Sequence, residues 1–301
     1  MVEHITCPLC GGDSSAPHLQ LRDHQGGETF AAVRCGECGY GYLDPAPPPD
    51  CLEHYYTNVS GESMRRPPGG LFRKMQRVAF ARETRPLRDR LSLGDPIVDL
   101  GAGDGALVRY LQHEGFNAGA ADFYPEAEWR LPEIPFRSLD LHGGSLDGDE
   151  IRSILGIAPK AATIRHVLEH LHRPRQVLEA VADSGTEWVY IVVPNCDSVF
   201  ARHFGESWYY WDPPRHLQFF DLRTLGEMCE RSGFRVEASG HYGIDEIVTS
   251  VHRAVMLRNG MPGRQMLETL TRPKGALAAA SSAFASTWAR TVCWCLARRL
   301  S

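Results

Sequence analysis

The sequence predicts an α/β fold built on a mainly parallel sheet, preceded by a small cysteine-bearing module. Two observations carry this prediction. Short apolar runs near 97–100, 117–121, 134–139, 161–165 and 187–193 alternate with stretches of helical periodicity, as expected for a sheet crossed by helices. In addition, Ile97-Val98-Asp99-Leu100-Gly101-Ala102-Gly103-Asp104-Gly105 reads as a buried strand entering a glycine-rich turn and then a helix, the place where open α/β sheets bind their ligands. A chain of 301 residues, 43% hydrophobic and 23% charged, can bury one such domain and carry a small module besides.

The module is expected over residues 1–44. Cys7-Pro8-Leu9-Cys10-Gly11-Gly12 and Cys35-Gly36-Glu37-Cys38-Gly39 are two C-x-x-C knuckles, each followed by glycine. Thr29 to Arg34 has β character and would deliver Cys35 to the first pair. Cys7, Cys10, Cys35 and Cys38 would then converge as a closed four-thiolate structural zinc site with no open position for water. The competing readings are reduced free cysteines and a redox pair, and nothing beside the pairs resembles a thioredoxin unit. Met1 to Thr6 lacks the charged and apolar regions of a secretion signal, so a cytoplasmic location is expected. Nine cysteines there suggest metal ligation and free thiols before disulfides.

A proline-rich stretch, Asp44 to Asp50, is the expected linker, and residues 45–70 form a linker and loop region. Within it, Asp50 and Glu53 have capping-box spacing ahead of a short helix through Leu52, His54, Tyr55 and Tyr56. Leu71, Phe72, Met75, Val78 and Ala79 then share one face of an amphipathic helix. Further on, Leu222, Leu225, Met228 and Cys229 stripe another helix, ended by Gly233, before a strand from Phe234 to Ala238.

The glycine turn constrains its ligand. Gly101 and Gly103 let a ligand lie against the backbone, but the spacing D-x-G-x-G-x-G is not the G-x-G-x-x-G of a pyrophosphate site. Asp99 and Asp104 place carboxylates near the turn, which favours a cationic guest over a phosphate. S-adenosylmethionine, with its sulfonium and α-ammonium, fits that pattern. Asp122, after the next apolar run, could accept hydrogen bonds from both ribose hydroxyls.

On these residues the chain resembles the class I S-adenosylmethionine-dependent methyltransferases, in particular a bacterial group with an N-terminal four-cysteine module. Ile164 to Leu171 and Pro213 to Leu217 sharpen the resemblance, which spans roughly residues 70 to 240. It implies a Rossmann-like seven-stranded sheet, a methyltransferase domain over 71–244, and a region 245–301 holding a helical insertion and a last antiparallel strand, for which Thr291 to Ala297 is the candidate. It also implies that Asp99, Gly101, Gly103, Asp122, Asp140 and His166 bind the cofactor, with Asp140 at the adenine amino group and residues 165–170 beside the methionine end. The acid such proteins usually carry near Ala161 or Ala162 is missing here.

Two stretches allow competing readings. His166-Val167-Leu168-Glu169-His170 also fits H-x-x-E-H, a metalloprotease pattern, but that chemistry needs one continuous helix, and a strand precedes the motif here. The longest expected irregular stretch, from Pro194 to Phe220, contains Trp208, Tyr209, Tyr210, Trp211, Arg215 and His216. In the functional reading Trp208 encloses a substrate and Arg215 binds its carboxylate or phosphate. In the bland reading the aromatics merely pin the loop, with His216 satisfied inside. His170 and His216 are the candidates for a general base, because imidazole titrates near neutral pH.

The implied activity is methyl transfer to a small-molecule acceptor, with O- or N-methylation favoured. Alternatives are a ribosomal RNA guanine methyltransferase, a C-methyltransferase of an activated sugar and a non-catalytic S-adenosylmethionine-binding protein. A formal net charge of -5, with no long Lys/Arg run, argues against a nucleic-acid partner. The weakly apolar Ala276 to Ala297, interrupted by Arg290, argues against a membrane span.

Overall fold

A computed structural model describes residues 5–23, 27–49, 51, 55, 70–123, 134–142, 146–242 and 290–300. The two knuckles adopt the same turn. Gly11 N donates to Cys7 O and Cys7 N to Gly12 O, while Gly39 N donates to Cys35 O and Cys35 N to Tyr40 O. Between and after them run β1 (Ser15–Arg22), β2 (Thr29–Cys35) and β3 (Gly41–Leu43), paired antiparallel in sequence order, and β2 ends on Cys35 as expected. The short helix expected through Leu52, His54, Tyr55 and Tyr56 falls mostly outside the described residues, as does the helical insertion expected within 245–301.

Helix α1 (Gly70–Glu83) and the single turn α2 (Arg85–Arg88) lead to β4 (Pro96–Leu100), followed by α3 (Ala106–His113), β5 (Asn117–Asp122) and β6 (Phe136–Ser138). Then come α4 (Gly148–Ser153), β7 (Ala161–Arg165), α5 (Pro174–Asp183) and β8 (Trp188–Pro194). The chain closes with α6 (Val199–Phe204), β9 (Gln218–Phe219), α7 (Leu222–Arg231), β10 (Phe234–Tyr242) and β11 (Val292–Arg299). The main sheet has the order β10-β11-β8-β7-β4-β5-β6. Strands β8, β7, β4, β5 and β6 pair in parallel, and β11 is antiparallel to both its neighbours, β8 and β10. From β4 the chain builds outward to β5 and β6 on one side and then to β7 and β8 on the other, so the β4–β7 border is the topological switch point.

Residues alternate strictly between the two faces of this sheet. Val98, Leu100, Ala162, Ile164, Val189, Ile191 and Val193 bury against α5 and α7, whereas Ile97, Ala118, Ala120, Tyr190 and Val192 bury against α1 and α3. Helix α7 starts on a capping box, Asp221 with Thr224, and buries Leu225, Met228 and Cys229, the stripe read from the sequence.

Two sequence expectations change. The stretch 194–220 is not irregular: it holds α6, two 3-10 turns (Gly205–Ser207 and Tyr209–Trp211) and β9. These elements are each too short to show a period. Strand β9 also pairs antiparallel with β3, so the sheet of the cysteine module has the order β1-β2-β3-β9 and takes its last strand from beyond residue 200. Hydrogen bonding therefore crosses the expected boundary at residue 44. A third core fills the space between, where Leu21, Ala32 and Leu43 meet Trp208, Trp211, Leu217 and Phe219.

Leu43 is fully buried in that third core. Leu43→Ala is expected to lower stability by about 2–5 kcal/mol, measured by denaturant titration, because the cavity is framed by rigid aromatics that cannot collapse into it.

Candidate active site

At the carboxyl end of β4 the chain turns through Gly101 and Gly103, at φ +77° and +54°, in the left-handed region that favours glycine. The two positions have different surroundings. A Cβ on Gly101 would lie 2.2 Å from Val167 Cγ2, so the turn sits hard against the segment that follows β7. Among the described residues, a Cβ on Gly103 would meet no atom within 4 Å. Asp122, at the end of β5, accepts a hydrogen bond from Gly103 N through Oδ2 at 2.8 Å. Asp104 accepts from Ala106 N at 3.0 Å, closing the first turn of α3. Asp140 stands just beyond β6 on the same sheet edge, accepting from His142 N at 2.8 Å.

Asp99 lies beneath the turn, 4% exposed, with Thr163 Oγ1 donating to its Oδ1 at 2.6 Å. Burial pushes its carboxyl up to about 6, against the opposing pull of the Thr163 hydroxyl. Thr163 was not singled out from the sequence. Its place on β7, directly opposite Asp99 in the parallel register, is what makes it the partner.

Beyond β7 the backbone passes through His166 at φ +54°, with His166 N donating to Val192 O at 2.8 Å, and enters a 3-10 turn over Leu168–His170. The continuous helix required by the H-x-x-E-H protease pattern is not formed. Instead His166 Nδ1 approaches Glu169 Oε1 at 3.4 Å, and the His170 ring meets His216 edge-to-face at 4.6 Å between centroids.

His216 reaches this position because the loop before β9 is laced onto the turn. Leu217 N donates to Glu169 O at 2.7 Å and Gln218 Nε2 to Leu171 O at 2.9 Å. His170 Nδ1 donates to Arg215 O at 2.8 Å, and His216 Nδ1 to Tyr210 O at 2.7 Å. A carbonyl can only accept, so each neutral ring carries its proton on Nδ1 and its lone pair on Nε2. Burial, then the neighbouring His216, lowers His170 to about 4, which keeps this imidazole neutral at physiological pH.

Two expected substrate residues are engaged internally. The Arg215 guanidinium, 4% exposed, bonds Asp212 through Nε at 2.9 Å and pairs with Asp23 at 3.4 Å. Two carboxylates neutralise it from within the protein, so it ties the loop to the end of β1 instead of presenting charge to an anion. Trp208 is 1% exposed and packs edge-to-face on Trp211 at 5.1 Å and Tyr210 at 5.7 Å, pinning the loop. Asp212 was detectable in principle, three residues before Arg215; Asp23 carried no local signal.

In the module, Cys7 Sγ lies 3.6 Å from Cys38 Sγ and Cys10 Sγ 3.5 Å from Cys35 Sγ, with all four sulfurs within 4.8 Å of one another. A tetrahedron with metal–sulfur bonds of about 2.3 Å has edges of about 3.8 Å, close to these separations. Cys10 Sγ also accepts from Gly12 N at 3.4 Å.

A model of the methyltransferase domain family Methyltransf_23 matches residues 71–239, more than half of the chain. The chain belongs to this family of methyltransferase domains. Among solved structures, it is similar to a SAM-dependent methyltransferase from Archaeoglobus fulgidus, at 16% identity and a TM-score of 0.50 over 81% of this chain and 100% of that one. It also matches 1,6-didemethyltoxoflavin-N1-methyltransferase from Burkholderia thailandensis at 16% identity, TM-score 0.47, over 95% of this chain and 99% of that one. A methyltransferase from Mesorhizobium loti aligns at 15% identity, TM-score 0.47, over 72% and 97% respectively. A comparison with curated proteins gave no match.

The turn makes two expectations measurable. Gly101→Ala should cost about 2–5 kcal/mol, combining a left-handed backbone with an overlap on Val167, whereas Gly103→Ala should cost only about 1–2 kcal/mol for its backbone. Denaturant unfolding of the two variants checks the difference. For Asp99, the folded state raises the carboxyl pKa above its unfolded value, so the folded protein binds the extra proton. Its contribution to stability is expected to fall as pH rises from about 4 to about 6, then level off, and Asp99→Asn should remove that slope.

Proposed function

We propose that the protein methylates a small-molecule oxygen or nitrogen acceptor held between the glycine turn and the loop bearing His216. The contact of Gly101 with Val167 carries this reading, because it sets the cofactor turn directly beside residues 166–170 and, through Leu217 and Glu169, beside His216. Gly101 and Gly103 cradle S-adenosylmethionine, Asp122 holds its ribose, Asp140 its adenine, and Asp99 supplies negative potential beneath the turn. His166 flanks the methionine end. The formal net charge of -5 favours a metabolite over RNA as acceptor.

Methyl transfer from a sulfonium is an in-line displacement with a good leaving group, so holding acceptor and methyl in a near-attack geometry supplies much of the acceleration. His170 and His216 are the proton-accepting groups, each with its lone pair on Nε2 and its ring fixed by a carbonyl. Cys7, Cys10, Cys35 and Cys38 hold structural zinc, in keeping with a reducing, cytoplasmic setting. Among the described residues no helix is long and apolar enough to cross a membrane. The division into a module over 1–44, a linker over 45–70, a methyltransferase domain over 71–244 and a terminal region over 245–301 is kept as an organisational proposal.

Labelled-methyl transfer to fractionated metabolite extract, with total RNA in parallel, tests the acceptor class; label appearing in RNA alone overturns the small-molecule reading. With an acceptor in hand, Asp122→Ala should weaken cofactor binding by about 1.5–3 kcal/mol in calorimetry. His216→Ala should instead lower turnover by roughly 10² to 10⁴ at nearly unchanged cofactor affinity, with His170→Ala as its matched partner.

The metal gives a separate expectation. Elemental analysis should find zinc bound to the four cysteines and lost in Cys7→Ser/Cys10→Ser. That variant should retain cofactor binding but lose methyl transfer, because β3 no longer fixes β9 and the adjoining His216.

A further inference from the structure

Glu169, His170 and His216 carry an arrangement that the cofactor does not account for. One ligating atom from each lies within 4.8 Å of the others, a spacing that admits a single ion between them. Both imidazoles already have the hydrogen-bonding pattern of metal ligands: Nδ1–H is directed to a backbone carbonyl, Arg215 O for one ring and Tyr210 O for the other, which fixes the tautomer and leaves the basic lone pair on Nε2. Glu169 is 1% exposed, and its Oε2 has no hydrogen-bond donor among the described residues. The groups acting on this buried carboxylate are His166, His170 and His216, with no Lys or Arg prominent among them. A carboxylate oxygen withdrawn from water without a donor is costly, and a cation on Oε2 removes that cost.

We propose that Glu169, His170 and His216 form a divalent-metal site beside the methyl-transfer centre, separate from the four-cysteine site. Two imidazoles and one carboxylate suit zinc, manganese, iron or cobalt, and three protein ligands leave coordination positions open. His166, at 3.4 Å from Glu169 Oε1, orients the carboxylate from behind. His170 is half-buried, so solvent reaches this one of the three ligands, whereas Glu169 and His216 are buried.

The role of the ion rests on the proposed acceptor class, and with the ion bound the Nε2 lone pairs of His170 and His216 are its ligands in place of the proton-accepting role given to them above. An acceptor hydroxyl coordinated at an open position releases its proton to solvent water, and the resulting oxyanion attacks the methyl carbon. The O–CH3 bond forms as the S–CH3 bond breaks, and the bonding pair returns to sulfur, converting sulfonium to a neutral thioether.

The test is metal binding, which needs no acceptor. Purified protein with its cysteine site filled with zinc is titrated with cobalt(II) and followed by visible absorption and by NMR of the histidine rings. One additional cobalt per chain is expected, with the weak absorption of a nitrogen–oxygen site, no intense sulfur charge-transfer band, and paramagnetic shifts at two imidazoles. Glu169→Gln and His216→Ala should each weaken this ion by roughly 10-fold or more, while the zinc on the four cysteines stays bound. Absence of a bound cobalt, or a bound cobalt that shifts no histidine ring, overturns the proposal in the unmutated protein, so misfolded variants cannot mask it. Cobalt that binds as expected while methyl transfer to small molecules fails would instead overturn the proposed function and leave this site standing.

Discussion

The contact between Gly101 and Val167 is the constraint on which the site depends. Because no Cβ fits there, the turn after β4 and the segment after β7 approach to a distance that only glycine permits. Those two segments lie on adjacent strands at the switch point, where the helices of neighbouring crossovers diverge and a crevice must open. The close approach fixes one wall of that crevice against the other. Asp99 and Thr163, hydrogen-bonded one layer deeper on the same two strands, hold the floor.

The histidine pair depends on a second constraint farther out. His170 and His216 come from positions separated by α5, β8 and α6, and no continuous element joins them. They meet because the loop before β9 is held at several points: by backbone bonds to Glu169 and Leu43, by Trp208 and Trp211 inside the third core, and by Arg215 between Asp212 and Asp23. Arg215 therefore acts by position, since its carbonyl receives His170 Nδ1 while its guanidinium is locked. Truncating one member of such a buried charge group is costly mainly because it leaves the others uncompensated. The aromatic cluster plays the corresponding apolar role.

How far the sequence was legible follows from the range of the interactions involved. The glycine turn was legible because steric need narrows those positions to one residue type, and the parallel strands because each is a short apolar run. The cysteine knuckles were legible because spacing alone sets the ligand geometry, and β11 because only one late apolar run was available to pair beside β10. The pairing of Arg215 was not legible because its partner Asp23 lies 192 positions away, where no periodicity reaches. Trp208 stayed open to both readings, because an aromatic-rich loop has the same composition whether its rings line a pocket or fill a core. Strand β9, two residues long, carries no pattern at all.

The shared sheet also bears on how the chain acquires its structure. Strand β3 of the cysteine module stays an unpaired edge until residues 218–219 are available, so an earlier-synthesised part of the chain is completed by a later one. The Asp23–Arg215 pair joins the same two regions. Contacts of such long sequence separation must close a large loop before they contribute any stability, which slows folding. A metal bound early to the knuckles would hold β1 and β2 together through that interval, giving the late-arriving loop a finished surface on which to dock.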